Sequence, residues 1–333
     1  MGGKFFEVLK AKSRLAYPNS ARKKNFAKSH LEVRMFNVGD GEAILLVFPK
    51  KRAWLVDCGA STGDNRNKIL GTRLAEYLKQ RKLVLEALVP SHPHKDHAGA
   101  FVALLQAKPK LAKKVRYWRS DDPSWKKRNS WIPNLNKELG RLGSKVEGVA
   151  LKNAHRDVSI AEGVSVHLFA GSSDGAYTSL FVHLRYHDAR LLFTGDAHCT
   201  YEKMLLDAFG EEDFRAQVLK VTHHGSSSGT ARTVVKAVNH GIAIASTAQD
   251  EGHRLEKDTL KRIGGHGRPR RVFETLVDGD IIMRTDGSKY GDGVLYELEF
   301  ESPGRFAAEL GARVIPLTEV NKARTSANHS KCK

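Results

Sequence analysis

Three apolar, strand-like segments of this chain end in residues that can hold a metal ion or move a proton. The sequence reads VPSH at 89–92, FTGD at 193–196 and VTHH at 221–224. Strand ends that lie near one another on a sheet edge provide a rigid mount for a site. The pattern therefore predicts a functional site at one edge of a β-sheet.

The rest of the chain alternates between the periodicities of strands and helices. Its 333 residues allow about two domains of roughly 150 residues, or one layered α/β domain of about 250. With 41% hydrophobic and 28% charged residues, the composition is globular rather than disordered. Two mixed sheets packed face to face, with helices outside, accommodate the predicted elements. We predict strands in HLEVRMFNV, AILLVF, AWLVDCG, LEALVPSH, VSVHLFA, SLFVHLRY, RLLFTGD, AQVLKVTHH, GIAIAST, RRVFETL, DIIMRT and VLYELEF, and helices in NKILGTRLAEYLKQRK, GAFVALLQA, TYEKMLLDAF, TARTVVKAV and LEKDTLKRI.

The segment SHPHKDHAG places four potential metal ligands within six residues: His92, His94, Asp96 and His97. His92 and His94 are alternate residues, so in extended backbone they point the same way. After the chain turns, Asp96 and His97 face a second position. Imidazole and carboxylate suit Zn²⁺, Mn²⁺ or Fe²⁺. A lone His is more often structural, but three His and one Asp at this spacing favour metal binding.

The HxHxDH pattern resembles the signature of the metallo-β-lactamase fold. LFTGDA resembles the family's later strand that ends in a bridging Asp, VLKVTHHGS resembles a subfamily motif, and FNVGDGEAILLV with AWLVDCG is similar to the opening hairpin. EGHRLEKDTLKRI and RRVFETLVDGDIIMRTDG fit the C-terminal part. Over roughly residues 31–300, the set most resembles the soluble hydrolase domain of ComEC-type DNA-uptake proteins, and it also resembles phosphorylcholine esterase domains. The resemblance implies an α/β fold, a four-layer αββα sandwich of two mixed β-sheets with outer helices.

The resemblance also implies two divalent metal ions, Zn²⁺ or Mn²⁺. His92 and His94 would hold one ion. Asp96 and His97 would hold the other, and Asp196 would bridge the two. Such a pair of ions suits hydrolysis of a phosphodiester.

Four more positions receive roles from the resemblance. Of the neighbouring pair His223 and His224, the first is the expected ligand and the second is expected to line the pocket. His253 is a further ligand or a proton donor, so Asp96, His224 and His253 are the candidate catalytic residues. Asp57 is expected to fix the orientation of a motif His without touching the metal.

One departure from the family pattern concerns the first ion. Many relatives carry another His upstream of the bridging Asp, where this chain reads GSSDGAYTSLF. His183 and His187 lie too far along the chain to replace it. Either Asp174 or Tyr177 takes its place, or the first ion is weakly held.

The ligand set favours hydrolysis with hydroxide as the nucleophile. Zinc lowers the pKa of its bound water to about 7 in suitable sites. A metal pair roughly 3.5–4 Å apart binds both the attacking and the leaving oxygen of a phosphodiester. The sequence has no GxSxG motif, and this chemistry needs no Ser or Cys nucleophile. We therefore predict a metal-dependent hydrolase that acts through a metal-bound hydroxide.

The charge of the chain bears on the substrate. Its formal charge of +18 favours polyanionic partners, nucleic acid before anionic membrane. Residues 108–156, an insertion before the bridging Asp, hold fourteen basic and four acidic residues. The run VRYWRSDDPSWKKRNSWIPNLNK interleaves aromatic and basic side chains, as in proteins that hold single strands. An alternative of equal weight is that the Trp side chains pack on the body while the Lys side chains stay in water. The binding hypothesis assigns phosphate contacts to Lys126, Lys127 and Arg128, and base stacking to Trp125 or Trp131.

Three functions follow, in order of preference. The first is a metal-dependent nuclease that acts on DNA. The second is a small-molecule phosphodiesterase or esterase, as the phosphorylcholine esterase resemblance implies. The third is a nucleic-acid-binding protein with an impaired metal site, to which the missing His lends some support.

The ends of the chain and its few cysteines bear on organisation and location. We place a basic N-terminal extension at 1–29, the hydrolase domain at 30–303 and a basic tail at 304–333. The tails are candidate sites for a protein partner. No apolar run approaches the roughly 18 residues of a membrane span, and no secretory signal is evident. Three cysteines are too few for a disulfide framework, so we expect a cytoplasmic, reducing environment.

Overall fold

Two mixed β-sheets pack face to face, and helices cover their outer faces. The predicted αββα layering is confirmed. The computed structural model describes residues 4–10, 30–60, 64–112, 115–120, 132–141, 148–151, 154–171, 178–249, 253–264, 271–290, 293–316, 319, 324 and 332.

The first sheet contains ten strands within the described residues. In the order across the sheet, the first six strands run antiparallel to their neighbours, and the sixth to ninth strands run parallel to one another. In order across the sheet, the strands are β1 (Lys4–Lys10), β17 (Gly293–Glu301), β15 (Asp280–Thr285), β2 (Leu31–Met35), β3 (Ala43–Val47), β4 (Arg52–Cys58), β5 (Val84–Val89), β6 (Arg116–Ser120) and β7 (Gly148–Leu151), and β16 (Lys289–Tyr290) pairs with β17.

The second sheet contains seven strands in the same described part of the chain. In the order across the sheet, the first four strands run parallel to one another, and the fourth to seventh strands run antiparallel to their neighbours. In order, the strands are β14 (Arg271–Glu274), β13 (Ile242–Ala245), β12 (Val218–Lys220), β11 (Ala189–Phe193), β10 (Phe181–Tyr186), β9 (Val164–Ala170) and β8 (Ala154–Ala161).

Helices connect the strands and pack on the outside of both sheets. The helices are α1 (Asp64–Gln80), α2 (Lys95–Ala98), α3 (Phe101–Ala107), α4 (Pro109–Ala112), α5 (Ile132–Arg141), α6 (Cys199–Phe209), α7 (Glu211–Phe214), α8 (Arg232–Val238), α9 (Lys257–Gly264), α10 (Thr275–Asp278) and α11 (Ala307–Leu310). The described residues also form two 3-10 turns, Pro49–Lys51 and Thr222–Gly225. Among the helices so described, none is long and apolar enough to cross a membrane.

Alternating side chains of the strands build three layers of core. Val33 and Leu46 of the first sheet meet Val166 and Leu184 of the second between the sheets. The opposite faces bury apolar side chains under α1 and α3 on one side and under α6 and α8 on the other. Each fully buried Val or Leu contributes about 1.5–3 kcal/mol of transfer free energy, so this burial drives the layering.

Parallel strands bring their carboxyl ends to a common edge of the molecule. In the first sheet this edge carries the residues that follow β4 and β5, and in the second those that follow β11, β12 and β13. Leu180 N–H donates to the carbonyl of Ser91 across the two edges, at 2.8 Å. The predicted strand-end residues therefore share one location, which lies between the sheets.

Parts of the two terminal segments belong to the body of the fold. Strand β1, from the predicted N-terminal extension, pairs with β17 along its whole length. Phe306 and Leu310 join the core under α1, although they follow residue 303. The domain boundaries remain a prediction.

Although three cysteines are too few for a disulfide framework, two of them are paired. Cys199 and Cys332 form a disulfide, with their Cα atoms 5.3 Å apart. Cys58 is a buried free thiol. Sequence alone does not predict the pair, because the two residues are 133 positions apart and only the fold brings them together.

Candidate metal centre

Four side chains from three strand ends converge between the sheets. One ligand atom from each of Asp96, His97, Asp196 and His224 lies within 4.8 Å of the others. The Nε2 atom of His97 is 3.1 Å from Asp196 Oδ2 and 3.1 Å from His224 Nε2. His224 Nε2 is 3.4 Å from Asp196 Oδ2. These atoms surround one point, as the ligands of a single cation do.

A second group shares Asp96 with the first. It comprises His92, His94 and Asp96, again with ligand atoms within 4.8 Å of one another. The rings of His92 and His94 have centroids 4.5 Å apart, as expected for alternate residues that point the same way. His92 Nε2 is 3.8 Å from Asp196 Oδ2, so Asp196 faces both groups. Asp96 belongs to both groups, and the predicted division of the ligands between two ions stays a prediction.

Asp57 and Ser91 orient two histidines of the HxHxDH motif, His97 and His92. Asp57 Oδ2 is 2.9 Å from His97 Nδ1, and the backbone N–H and side-chain hydroxyl of Ser91 both donate to Asp57, at 2.6 and 2.8 Å. The Ser91 hydroxyl has one proton, which goes to the carboxylate. Its oxygen therefore accepts from His92 Nδ1, 3.0 Å away. The lone pair of His92 is then on Nε2, which faces the cluster.

His224 is oriented in the same manner from the other sheet. Its Nδ1 lies 3.0 Å from the carbonyl oxygen of Ser246, which only accepts. The Nδ1 atom therefore donates to this carbonyl, and Nε2 faces Asp96 Oδ2 and Asp196 Oδ2, 3.5 and 3.4 Å away. The sequence did not single out Ser91 or Ser246. A Ser directly before the motif was the available signal for Ser91, whereas the acceptor on Ser246 is a backbone carbonyl.

The structure distinguishes the two adjacent histidines of the HHGS motif. His224 lies in the four-donor group, although it was expected to line the pocket. His223 Nε2 is farther out, 3.9 Å from Asp196 Oδ2, and its Nδ1 is 3.0 Å from Ser228 Oγ. The assignment of His223 as the ligand stays a prediction, and geometry adds His224 as a candidate.

His253 lies at the rim of the cluster. Its Nε2 is 3.4 Å from Asp96 Oδ2, and its ring centroid is 4.4 Å from that of His224. The side chain is 17% exposed, so it contacts both the cluster and solvent. This position suits either predicted role, that of a further ligand or of a proton donor.

The backbone around the cluster is unusual. Asp57, His223 and His224 have φ values of 54°, 52° and 52°, in the left-handed region that non-glycine residues rarely adopt. Such conformations cost about 1–3 kcal/mol each and cluster at functional sites. Close packing adds to the constraint, because a Cβ on Gly41 (φ 147°) would lie 2.9 Å from the carbonyl oxygen of Asp96 and would clash with Gly59.

Charges in the cluster depend strongly on one another. Burial disfavours a charged imidazole, but the carboxylates of Asp196 and Asp57 raise the pKa of His97 well above its ordinary value. Burial acts against His224 too, yet Asp196 raises its pKa to about 9. Burial and the neighbouring His97 hold the pKa of His92 well below its usual range. The buried carboxylates thus need nearby positive charge, which divalent cations supply when they displace protons from ligands.

The residues fit divalent metal ions. His92 Nε2 is buried and makes no hydrogen bond to any described residue, which is costly unless another group completes it. The donors are imidazole nitrogens and carboxylate oxygens, which suit Zn²⁺, Mn²⁺ and Fe²⁺ alike. The ligand chemistry thus supports metal binding without selecting the metal.

Several predicted positions lie outside the described residues. They include the nucleic-acid-binding candidates Trp125, Lys126, Lys127, Arg128 and Trp131, and the substitute ligands Asp174 and Tyr177. Nearby, Tyr117 and Trp118 are buried in the body, 1% and 5% exposed. For these two aromatic residues, packing rather than base stacking is observed.

Comparison with known families identifies the fold. A sequence profile described as the metallo-beta-lactamase superfamily matches residues 37–249. The chain belongs to the metallo-β-lactamase superfamily. Members of this superfamily are generally hydrolases that bind divalent metals, and the cluster around Asp196 is a candidate site for such ions.

This superfamily member is similar to much longer curated proteins. It is 25% identical over 261 residues to Recombination protein 2 of Haemophilus influenzae, covering 78% of this chain and 29% of that protein. It is 24% identical over 274 residues to ComE operon protein 3 of Bacillus subtilis, covering 76% of this chain and 33% of that protein. The chain thus spans about a third or less of the length of these relatives, and the predicted resemblance to ComEC-type proteins is confirmed.

Among solved structures, the metallo-beta-lactamase fold protein YhfI from Bacillus subtilis resembles this superfamily member. The two share 16% sequence identity with a TM-score of 0.48, over 81% of this chain and 100% of YhfI.

Proposed function

We propose that this chain is a metal-dependent phosphodiesterase that cleaves DNA. The convergence of Asp96, His97, Asp196 and His224 on one point, beside a second group that shares Asp96, is the observation that carries the proposal. Divalent ions bound there would supply a nucleophile from water at neutral pH and positive charge opposite the phosphate.

The protein's own groups have distinct tasks in this proposal. The Asp and His side chains of the two groups hold the ions, with Asp196 facing both. Asp57, Ser91 and the carbonyl of Ser246 fix the tautomers, so that each Nε2 presents its lone pair inward. His253, at the solvent-facing rim, is placed to deliver a proton to the leaving oxygen.

Charge and similarity support DNA as the substrate. The formal charge of +18 attracts a polyanion, and the fourteen basic residues within 108–156 concentrate that charge before the bridging Asp. The chain resembles the hydrolase part of ComEC-type DNA-uptake proteins, and one curated relative is named Recombination protein 2. Lys126, Lys127 and Arg128 are proposed to contact phosphates, and Trp125 or Trp131 to stack on bases.

A cleavage assay tests the proposal. Purified protein is incubated with end-labelled single- and double-stranded DNA in Mn²⁺, Zn²⁺ or EDTA, beside Asp96→Ala and, as a control, Asp188→Ala. Asp188 is an exposed residue on the β10–β11 turn. We expect metal-dependent cleavage that Asp96→Ala abolishes and Asp188→Ala retains.

The other outcomes separate the alternatives. Cleavage of small phosphodiesters without cleavage of DNA would establish the small-molecule enzyme. Tight DNA binding with no bound metal and no cleavage would establish the binding protein. Equal cleavage by the wild type and Asp96→Ala would place the activity outside this cluster.

A further inference from the structure

A buried Lys–Glu ion pair lies directly behind the candidate metal centre. Lys220 is the last residue of β12, and its side chain is fully buried. Its Nζ atom is 2.6 Å from Glu42 Oε2, and Glu42 is only 1% exposed. The sequence predicts no role for either residue. We call the two residues the Lys220–Glu42 pair.

The side chain of Lys220 contacts two residues that follow β11: the backbone of Gly195 and the side chain of Asp196. Its ammonium donates to the carbonyl of Gly195 at 3.0 Å and lies 3.8 Å from Asp196 Oδ1. That oxygen has no hydrogen-bond partner among the described residues, whereas Oδ2 faces the ring nitrogens of His97 and His224. The ammonium thus attracts one oxygen of the carboxylate and leaves the other directed at the cluster.

Glu42 links the same pair to the other sheet. Its backbone N–H donates to the carbonyl of Asp96, and its own carbonyl accepts from Gly59 N–H, both at 2.9 Å. Its carboxylate also lies within 4.8 Å of the ligand atoms of Asp57 and His97. The pair therefore connects the segments that carry Asp96, Asp57 and Asp196.

Charge makes this arrangement specific. The Nζ atom of Lys220 lies 2.6 Å from Glu42 Oε2 and 3.8 Å from Asp196 Oδ1, and nearby carboxylates favour the charged ammonium. Buried ion pairs seldom add stability over neutral side chains of similar volume, because desolvation costs about as much as the attraction returns. A neutral replacement of both partners is therefore a practical probe of what the charges do.

We propose that Lys220, held in place by Glu42, is a positioning residue for Asp196. It keeps the carboxylate turned so that Oδ2 points at both ligand groups, and it thereby sets the affinity for divalent metal. The inference rests on the proposed metal centre but not on the identity of the substrate.

The test measures metal binding on the full-length protein after metal removal. Mn²⁺ affinity and stoichiometry are determined by calorimetry, and the visible absorption spectrum of the Co²⁺-loaded protein reports ligand geometry. The variant Lys220→Met with Glu42→Gln removes both charges. We expect Mn²⁺ to bind roughly 10–100-fold more weakly, as when other residues that orient ligands are lost, and the Co²⁺ spectrum to change.

A matched control separates this effect from general loss of a buried pair. Arg284→Met with Glu32→Gln removes an ion pair of 2.9 Å at the start of β2, away from the strand ends that carry the cluster. We expect its Mn²⁺ affinity to equal that of the wild type. If the Lys220→Met/Glu42→Gln protein does not fold, Glu42→Gln alone keeps an oxygen acceptor for Lys220, and we expect at least a threefold loss of affinity.

The outcomes are distinguishable from failure of the proposed function. Wild-type protein that binds no Mn²⁺ and no Zn²⁺ would overturn the metal centre and this inference together. Wild-type binding with unchanged affinity and Co²⁺ spectrum in the folded pair variant would overturn the positioning role alone. Normal metal binding without DNA cleavage would leave this inference intact and refute the nuclease.

Discussion

The Nε2 atoms of His97 and His224 lie 3.1 Å apart, although the two residues are 127 positions apart in the sequence. On each ring the opposite nitrogen, Nδ1, is held by an acceptor: Asp57 for His97 and the carbonyl of Ser246 for His224. Two imidazole nitrogens that face each other at this distance need a cation or a proton between them. This relationship places a positive charge at the centre of the cluster.

Asp196 belongs to one ligand group, faces the other, and is proposed to bridge two ions. Asp196→Asn keeps the shape but removes the charge, and an amide is a poorer ligand for a divalent ion. We expect the bound metal per protein, measured by elemental analysis, to fall by at least one ion, and DNA cleavage to fall at least 100-fold, about 2.7 kcal/mol in transition-state free energy. Asp188→Asn is the control. Full metal content in the Asp196 variant would contradict the bridging assignment.

The hydroxyl of Ser91 links Asp57 to His92, because it donates to the carboxylate and accepts from the imidazole. Ser91→Ala removes the hydroxyl that lies 3.0 Å from His92 Nδ1 and leaves that ring free to change tautomer. We expect metal affinity to fall about tenfold. Nitrogen NMR of labelled His92 in the metal-free protein should show the proton no longer confined to Nδ1. Ser165→Ala, on β9, is the control, and an unchanged His92 spectrum in Ser91→Ala would argue against the relay.

Gly41 has no room for a side chain, whereas Gly140 does. A Cβ at Gly41 would clash with Gly59 and approach Asp96, so Gly41→Ala should cost about 2–3 kcal/mol in unfolding free energy and weaken metal binding. Gly140 lies in α5 with no atom within 4 Å of its Cβ position. Gly140→Ala should therefore be stabilising by about 0.5–1 kcal/mol. Chemical denaturation of both variants checks the pair of predictions, and equal stabilities would refute the steric argument.

Glu32 should make stability depend on pH. Burial disfavours its charge, but Arg81 and Arg284 hold its pKa below the ordinary value. A lowered folded pKa contributes stability that is complete above the unfolded pKa of about 4.3 and is lost as pH falls through the folded pKa. Glu32→Gln should lower the free energy of unfolding by about 2 kcal/mol at pH 7, a value between those typical of surface ion pairs and of fully buried ion pairs. The difference in unfolding free energy between the wild type and Glu32→Gln, measured by urea unfolding, should narrow below about pH 4. A difference that does not change with pH would contradict the prediction.

The disulfide should contribute to stability under oxidising conditions. Cys199 and Cys332 close a long loop, so reduction should lower the unfolding free energy by about 2–5 kcal/mol. Thermal unfolding with and without dithiothreitol measures the effect, and Cys332→Ser should unfold at the same temperature in both. A wild-type protein indifferent to dithiothreitol would show that the bond does not form.

Sequence periodicity predicted most of the elements around the site. The strands β2 to β5 and β9 to β13, and the helices α1, α3, α6, α8 and α9, occur where apolar period predicted them. Strands β1, β6, β7, β8 and β16 and the shorter helices such as α2, α4 and α7 were missed. Segments such as AHRDVSIA lie at or near sheet edges, and their charged residues hide the two-residue period that buried strands show clearly. The segment RRVFETL was predicted as one strand, but Thr275 begins the helical turn α10.

The candidate ligands followed from local spacing, but their supporting residues did not. His92, His94, Asp96 and His97 are close in sequence, so the motif alone brought them together. Glu42 and Lys220 are 178 positions apart and meet only because the two sheets pack face to face. Similarly, which member of the HHGS pair approaches Asp96 depends on backbone angles that a sequence pattern does not specify.

The sequence by itself determined the layered fold, the superfamily and the ligand types, because apolar period and short motifs are local properties. Tertiary structure alone decided which donors group around Asp96, which nitrogen of each His faces the cluster, and that a buried Lys lies behind Asp196. Those properties depend on distances between strand ends that are far apart in the chain. Only the packing of one sheet on the other sets those distances.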